Sequence, residues 1–376
     1  MSHPVSFIVR YPISRERQHI VDEQVTRSVK ERYGAGAEQF EAALCCAVDY
    51  DPSLLKVIPD EVIERDYGCG DPSRYVRPGE RVLDLGSGGG KICFIASQVV
   101  GEQGSVIGID MTDEMLDLAR RSAPKVAEAI GYANVDFRKG RIEDLATDWE
   151  KIQAYIEENP VTTLKDYEKL ESYKADLRRN LPLVADGSID TIVSNCVLNL
   201  VADSAKPGLF SEMYRVLKPG GRVAVSDIVS DVPTPAHLKA DPTLWSGCIS
   251  GALTEEVFLD ELVRAGFRGV MIDKRDEKPW QVVEGINYRS VTVLATKPET
   301  VDLQTPSCQM IYRGPWKRVE DDDGRTFIRG RMTDVDGKGQ AALSAEIYGR
   351  DIIRADRQAD ACCDSTPPDP EPKSCC

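Results

Sequence analysis

The sequence predicts an α/β fold, an open and mostly parallel doubly wound sheet with helices on both faces. Three observations carry that prediction. From residue 81 onward, apolar strand-like runs alternate with amphipathic helical ones. The first strand leads through a glycine loop into a helix, in RVLDLGSGGGKICFIASQVV. The second strand, SVIGID, ends on a carboxylate, Asp110, where such sheets bind ribose hydroxyls.

The elements follow in order. Residues 1–80 read as a helical, thiol-bearing lead-in: VDEQVTRSVKERYG fits one helix ending at Gly34, and EQFEAALCCAV fits a second. Arg81 to Leu85 form the first strand, followed by the glycine loop and a helix. SVIGID, the helix DEMLDLARRSAPKVAEAI and the strand NVDFRKG come next. Residues 144–187 are polar and charged, with helical stretches around WEKIQAYIEE and LKDYEKLESYKADLRR, and read as an insertion. The strand SIDTIVSN follows, then the helix LFSEMYRVL, stopped by a Lys218-Pro219-Gly220-Gly221 turn, then the strand RVAVSDIV. Residues 231–253 read as a long loop over one end of the sheet. TEEVFLDELVRAG is a helix and YRSVTVLATKP a last strand. The α/β domain is therefore expected over 81–298, a small C-terminal region over 299–360, and a disordered Cys-, Pro- and Asp-rich tail over 361–376.

Composition narrows the function. The chain has 376 residues, 41% of them hydrophobic, and a net charge of −15. That charge repels phosphate backbones and anionic lipid, so neither nucleic acid nor a membrane surface is expected as a partner. The opening MSHPVSFIVRYPISRER has no long apolar run, so no signal peptide is expected, and no stretch is long and apolar enough to span a bilayer. A cytoplasmic protein follows. In that compartment its 11 cysteines should be thiols. Three doublets stand out: Cys45-Cys46, Cys362-Cys363 and Cys375-Cys376. There are only three histidines and no zinc-finger spacing, a thiol-rich and imidazole-poor composition that favours a soft ligand over zinc.

The glycine loop marks a nucleotide site. Gly86, Gly88 and Gly90 allow the tight turn and the close approach of backbone to ligand. Asp84 precedes the loop, Ser87 lies within it, and Asp110 with Met111 closes the next strand. Three cysteines fall on segments that should meet the same crevice: Cys196 after the fourth strand in VSNCVLNLV, Cys248 in LWSGCISGAL, and Cys69 in DYGCGDP just ahead of the first strand. A free cysteine is usually a small buried hydrophobe, which is how Cys93 reads.

Asp84 two residues before Gly86, together with GGRVAVSD after a KPGG turn, resembles the Rossmann-like class I S-adenosylmethionine methyltransferases. The resemblance places Ile142 and Glu143, in GRIEDL, by the adenine, and Asn195 and Cys196 at the end of the fourth strand, facing the methyl group. DYGCGDP, LDLGSGGG, GIDMT, VSNCVLNLV, YRVLKPGG and LWSGCISGAL together resemble the arsenite methyltransferase family over roughly residues 60–255. This implies S-adenosylmethionine as cofactor and arsenite, or its thiol conjugates, as acceptor for detoxification. It also implies As(III) binding by Cys196 and Cys248, with Cys69 as the third thiol. Cys69 would alternatively pair with an N-terminal cysteine, Cys45 or Cys46, and thioredoxin or glutathione would reset the disulfide. The chemistry agrees: As(III) is thiophilic, and its lone pair is the nucleophile, so no Ser/His/Asp set is needed. Two rival readings are a C- or O-methyltransferase for a small organic acceptor and a non-catalytic metalloid-binding thiol protein.

Overall fold

The computed structural model describes residues 15–39, 41, 48–300, 307–343, 348–349 and 351–355. The chain divides into two compact units, residues 1–300 and 301–376. In the first, α1 (Arg15–Glu38) and the short helices α2 (Pro52–Leu55) and α3 (Asp60–Glu64) precede β1 (Arg81–Leu85). Then come α4 (Lys91–Val100), β2 (Ser105–Asp110), α5 (Asp113–Ile130) and β3 (Val135–Lys139). The helices α6 (Trp149–Glu158) and α7 (Leu164–Asn180) separate β3 from β4 (Ile189–Asn195), which leads through α8 (Lys206–Val216) to β5 (Leu217–Ser230). The remainder comprises α9 (Ala236–Lys239), α10 (Pro242–Ser246), β6 (Leu253–Thr254), α11 (Glu255–Ala265), β7 (Arg268–Arg275), β8 (Gln281–Val283) and β9 (Ile286–Thr296).

The strands form one sheet of order β3-β2-β1-β4-β5-β9-β7, with β6 on β5 and β8 on β9. The pairs from β3 to β5 are parallel, and β9 runs antiparallel to β5 and β7. The doubly wound α/β expectation therefore holds, with an antiparallel edge. The strand order reverses between β1 and β4, which opens a crevice at their carboxyl ends.

Alternation along the strands sends residues to two cores. Leu83 and Leu85 of β1 pack with Ile107, Ile109, Phe210 and Phe258 on one face. Val82 packs with Ile92, Phe94, Leu116 and Phe137 on the other. Asp84 shares Val82's face, which turns its carboxylate toward α4 and the glycine loop. Burying so much branched aliphatic surface makes a change such as Leu83→Ala cost about 2–5 kcal/mol.

Three expectations meet a different outcome. α1 does not end at Gly34 but runs on to Glu38, because glycine there serves packing: a Cβ at Gly36 would touch the Tyr67 ring at 3.0 Å. The loop over 231–253 contains two short helices, α9 and α10, and Asp241 caps α10 by accepting from Thr243 and Leu244 N–H. β7 was not anticipated, since its outer half is exposed and charged. Most of the expected helix over EQFEAALCCAV, including Cys45 and Cys46, lies outside the described residues, as does the tail over 361–376. Among the described residues no helix is long and apolar enough to cross a membrane.

The second unit is built on the sheet β13-β10-β14, from β10 (Cys308–Tyr312), β13 (Met332–Val335) and β14 (Ile352–Arg354), with β11 (Arg318–Glu320) paired to β12 (Thr326–Ile328). Cys308, Met310, Tyr312 and Phe327 supply its small core.

Candidate active site

The glycine loop joins β1 to α4 through three left-handed residues: Gly86 at φ 71°, Gly88 at φ 51° and Gly90 at φ 93°. The N–H groups of Gly86 and Ser87 both donate to Ile109 O, at 2.8 and 2.9 Å. A Cβ at Gly86 would stand 2.3 Å from Val197, so glycine is required both for φ and for space. The loop borders a cleft of about 960 Å³, counted with its open mouth. Its walls carry Asp84, Gly86, Ser87, Gly88, Asp110, Met111, Ile142, Glu143, Asn195 and Cys196, each named from sequence as a candidate. Gly90 does not line the cleft; it caps α4 with its α-carbon against Phe137 and Phe94.

The walls are acidic. Asp84 is buried, and burial, with the charges of Asp66 and Asp110 behind it, pushes its carboxyl up to about 7. The Cys93 thiol donates to it at 3.2 Å, so Cys93 is more than core filling. Asp110 accepts from Gly88 N–H at 2.9 Å and from Thr112 N–H at 2.8 Å, while burial raises its carboxyl. Two acceptor lone-pair positions remain on such a carboxylate. Glu143 accepts from Arg141 at 2.7 Å. Ser87 Oγ is buried without a hydrogen-bond partner among the described residues. A Cβ at Gly88 would meet only Met115 Sδ, at 3.9 Å, so the loop backbone is open to a ligand there. An orphaned hydroxyl, bare glycine backbone and carboxylate walls suit a nucleoside ligand with positive charge. S-adenosylmethionine, which carries a sulfonium and an ammonium, is such a ligand.

Beyond Asn195 the cleft meets sulfur. Cys69, Cys196 and Cys248 are all buried, and the Cys196 thiol is in hydrogen-bonding contact with both others. Those contacts, with Cys248 first and Cys69 second, and then burial, raise the Cys196 thiol well above its ordinary range. Burial raises that of Cys69. Only Cys196 faces the cleft; the other two stand behind it. Among the described residues no group of three His, Cys, Asp or Glu side chains forms a metal-ion cage.

Asn195 fixes Cys69. Its Oδ1 accepts from Cys69 and Gly70 N–H at 2.9 and 3.0 Å, and its Nδ2 donates to Gly70 O and Tyr50 Oη at 2.8 and 3.1 Å. A Cβ at Gly68 would strike that amide at 2.1 Å. Asn195 thus borders the cofactor cleft and also holds the DYGCGDP turn.

Sequence reading missed three residues. Tyr33 of α1 lines the cleft, with its hydroxyl 3.9 Å from Cys248 Sγ. Burial and the neighbouring Cys248 and Cys196 push its phenol well above its usual value, so it remains neutral. Asp227 and Asn199 lie buried behind the thiols. Their signal was present: a carboxylate inside the apolar run RVAVSDIV and an amide inside VLNLV, since buried polar groups need partners. Tyr33 gave no signal, because its role depends on how α1 crosses the sheet.

A methyltransferase-domain family model matches residues 77–281, and a model for a domain of unknown function matches 303–373. The arsenite methyltransferase of Aquipseudomonas alcaligenes is 37% identical over 247 residues, covering 64% of this chain and 61% of that protein. The chain thus spans about three-fifths of that relative's length. The arsenite methyltransferase of Mus musculus is 31% identical over 317 residues, covering 81% of this chain and 74% of the mouse protein. The crystal structure of an arsenic(III) S-adenosylmethionine methyltransferase from Chlamydomonas reinhardtii aligns with a TM-score of 0.54 at 26% identity, covering 83% of this chain and 98% of that one. The methyltransferase-domain match takes in the glycine loop, Asp110, Cys196 and Cys248, and with the mouse relative 31% identical over 81% of this chain this chain belongs to the arsenite methyltransferase family.

Proposed function

We propose that the chain methylates trivalent arsenic, holding it as a thiolate complex on Cys196 and Cys248 beside bound S-adenosylmethionine. One observation carries this reading: Cys196 is a wall of the acidic nucleotide cleft and also touches two other buried thiols. Asp110 is the acceptor for ribose hydroxyls, Glu143 and Ile142 border the adenine end, and the Gly86–Gly88 backbone and Ser87 line the passage between them. When bound, S-adenosylmethionine supplies an electrophilic methyl group on its sulfonium sulfur.

The chain contributes capture, placement and dryness. Arsenite, As(OH)3, exchanges hydroxides for thiolates; each cysteine proton leaves with a hydroxide as water, so capture needs no net base. Cys196 and Cys248 then hold the arsenic with its lone pair toward the cleft, and proximity supplies much of the rate. Methylation takes both bonding electrons of the new As–C bond from arsenic, the electrons of the broken methyl–sulfonium bond staying on sulfur as a neutral thioether, and formally oxidises arsenic to As(V). Returning it to As(III) takes two electrons, which a thiol pair supplies by forming a disulfide. Cys69 with Cys45 or Cys46 is the pair suggested by the resemblance, and thioredoxin or glutathione is the proposed reductant of that bond. Cys69, Cys93, Cys196 and Cys248 form no disulfide, which suits a cytoplasmic setting.

The test is an incubation of the protein with methyl-labelled S-adenosylmethionine, arsenite and a thiol, followed by separation of arsenic species. Label in methylated arsenicals is expected. Label released only as S-methyl thiol or methanol would overturn the reading.

A further inference from the structure

Cys196 and Cys248 share an unusual backbone. They stand at φ 63° and φ 62°, and among the described residues Glu284 is the only other non-glycine at positive φ. Left-handed backbone at a residue with a Cβ is strained and persists only where its surroundings over-determine it. Behind these two cysteines the surroundings are a buried polar knot. One carboxylate oxygen of Asp227 accepts from Leu198 N–H at 2.8 Å; the other accepts from Asn199 Nδ2 and Ile228 N–H, both at 2.8 Å. Asn199 Nδ2 also reaches Ile228 O at 2.6 Å and, more weakly, Cys248 O at 3.4 Å. One amide therefore spans the Cys196 loop, the end of β5 and the Cys248 loop.

Two further contacts close the same gap. Lys206, buried and paired with Asp203, donates to Gly251 O at 2.8 Å. Gly251 lies so near the Asn199 backbone that a Cβ there would meet Asn199 O at 1.9 Å. Neither Asn199 nor Asp227 lines the cleft, so neither is placed to touch cofactor or acceptor. Their bonds end on the Leu198 backbone two residues past Cys196, on Ile228, and more weakly on Cys248 O.

We infer that Asn199, oriented by Asp227, is a positioning residue that fixes the separation of the Cys196 and Cys248 sulfurs and so selects an acceptor that binds both at once. The inference rests on those two cysteines being the arsenic ligands. Without the latch each thiol survives, but the pair no longer meets one centre at the right distance. Affinity for a bidentate soft ligand falls, while affinity for a ligand that takes a single thiolate does not. A general loss of structure would lower both.

The experiment uses the full chain. Arsenite, the bidentate probe, and methylmercury, the monodentate probe, are each titrated against alkylation, with protection of the Cys196 and Cys248 peptides quantified separately by mass spectrometry. Asn199→Ala is expected to raise the half-protecting arsenite concentration by roughly tenfold or more, the scale of losing buried hydrogen bonds. Its methylmercury value should stay within about twofold, as should its S-adenosylmethionine affinity. If Asn199→Ala does not fold, Asp227→Asn serves, because an amide in that place cannot accept from Leu198 N–H and Asn199 Nδ2 together. Undiminished arsenite protection in a folded variant overturns the inference alone, as does an equal loss for both probes. Absence of arsenite protection at these peptides in the unsubstituted chain overturns the ligand assignment, and the inference with it.

Discussion

At the residue scale, Asp84 is expected to couple a proton to cofactor binding. Burial pushes its carboxyl up to about 7 from an ordinary 3.8. A raised acid stabilises the folded chain fully below the ordinary value, and that contribution is lost as pH rises through about 7. Binding runs the other way, because a cationic ligand favours the ionised form. S-adenosylmethionine affinity should therefore increase from pH 6 to pH 8 with release of a proton, and Asp84→Asn should flatten the dependence. Calorimetry in buffers of different ionisation heat reads that proton, and an unchanged slope in the variant would contradict the assignment. Cys196→Ser and Cys248→Ser should each abolish arsenite methylation while leaving S-adenosylmethionine binding within about twofold. Near-normal turnover in either variant would remove that residue from the acceptor site. Single residues were the most legible part of the site. Asp84, Asp110 and Cys196 announced themselves by their places at strand ends, because the chemistry of an open α/β sheet gathers there. Asp227 and Asn199 were harder to read, since what they do depends on a loop some fifty residues away meeting theirs.

At the element scale, the β1–α4 turn carries three left-handed glycines, two of them in the cleft wall. Gly86→Ala adds a methyl 2.3 Å from Val197 at a residue held at φ 71°. The backbone strain alone is about 1–2 kcal/mol, and relief requires moving the loop that also carries Cys196. The variant should lose S-adenosylmethionine binding and melt several degrees lower, as a titration and a thermal scan would show. A folded Gly86→Ala chain with unaltered affinity would mean that the loop does not cradle the ligand. Periodicity and glycine spacing located this turn correctly because both are local signals. Gly34 misled the reading of α1 for the same reason: glycine argues locally for a helix end, whereas here Gly34 and Gly36 let α1 press against Glu114 and Tyr67. The edge strand β7 escaped because a half-exposed strand lacks a continuous apolar run.

At the scale of the whole molecule, every cleft wall and every described thiol of the cluster belongs to the unit spanning residues 1–300. A chain ending at Thr300 should then bind S-adenosylmethionine as the full chain does, within about twofold. Calorimetry on the two chains checks this, and a large loss would show that residues beyond 300 complete the site. Parallel strands, alternating helices and a reversal of strand order were legible because burial on both faces leaves continuous Val/Ile/Leu runs. The convergence of DYGCGDP, VSNCVLNLV and LWSGCISGAL was not legible from periodicity, because contacts so distant in sequence are set by topology. The account stands on that convergence, and arsenic itself can report it. Crystals of the full chain with bound S-adenosylhomocysteine, soaked in arsenite and measured at the arsenic absorption edge, should show anomalous density between the Cys196 and Cys248 sulfurs, against the cleft wall. Density only at other cysteines, with none at Cys196 and Cys248, would contradict it.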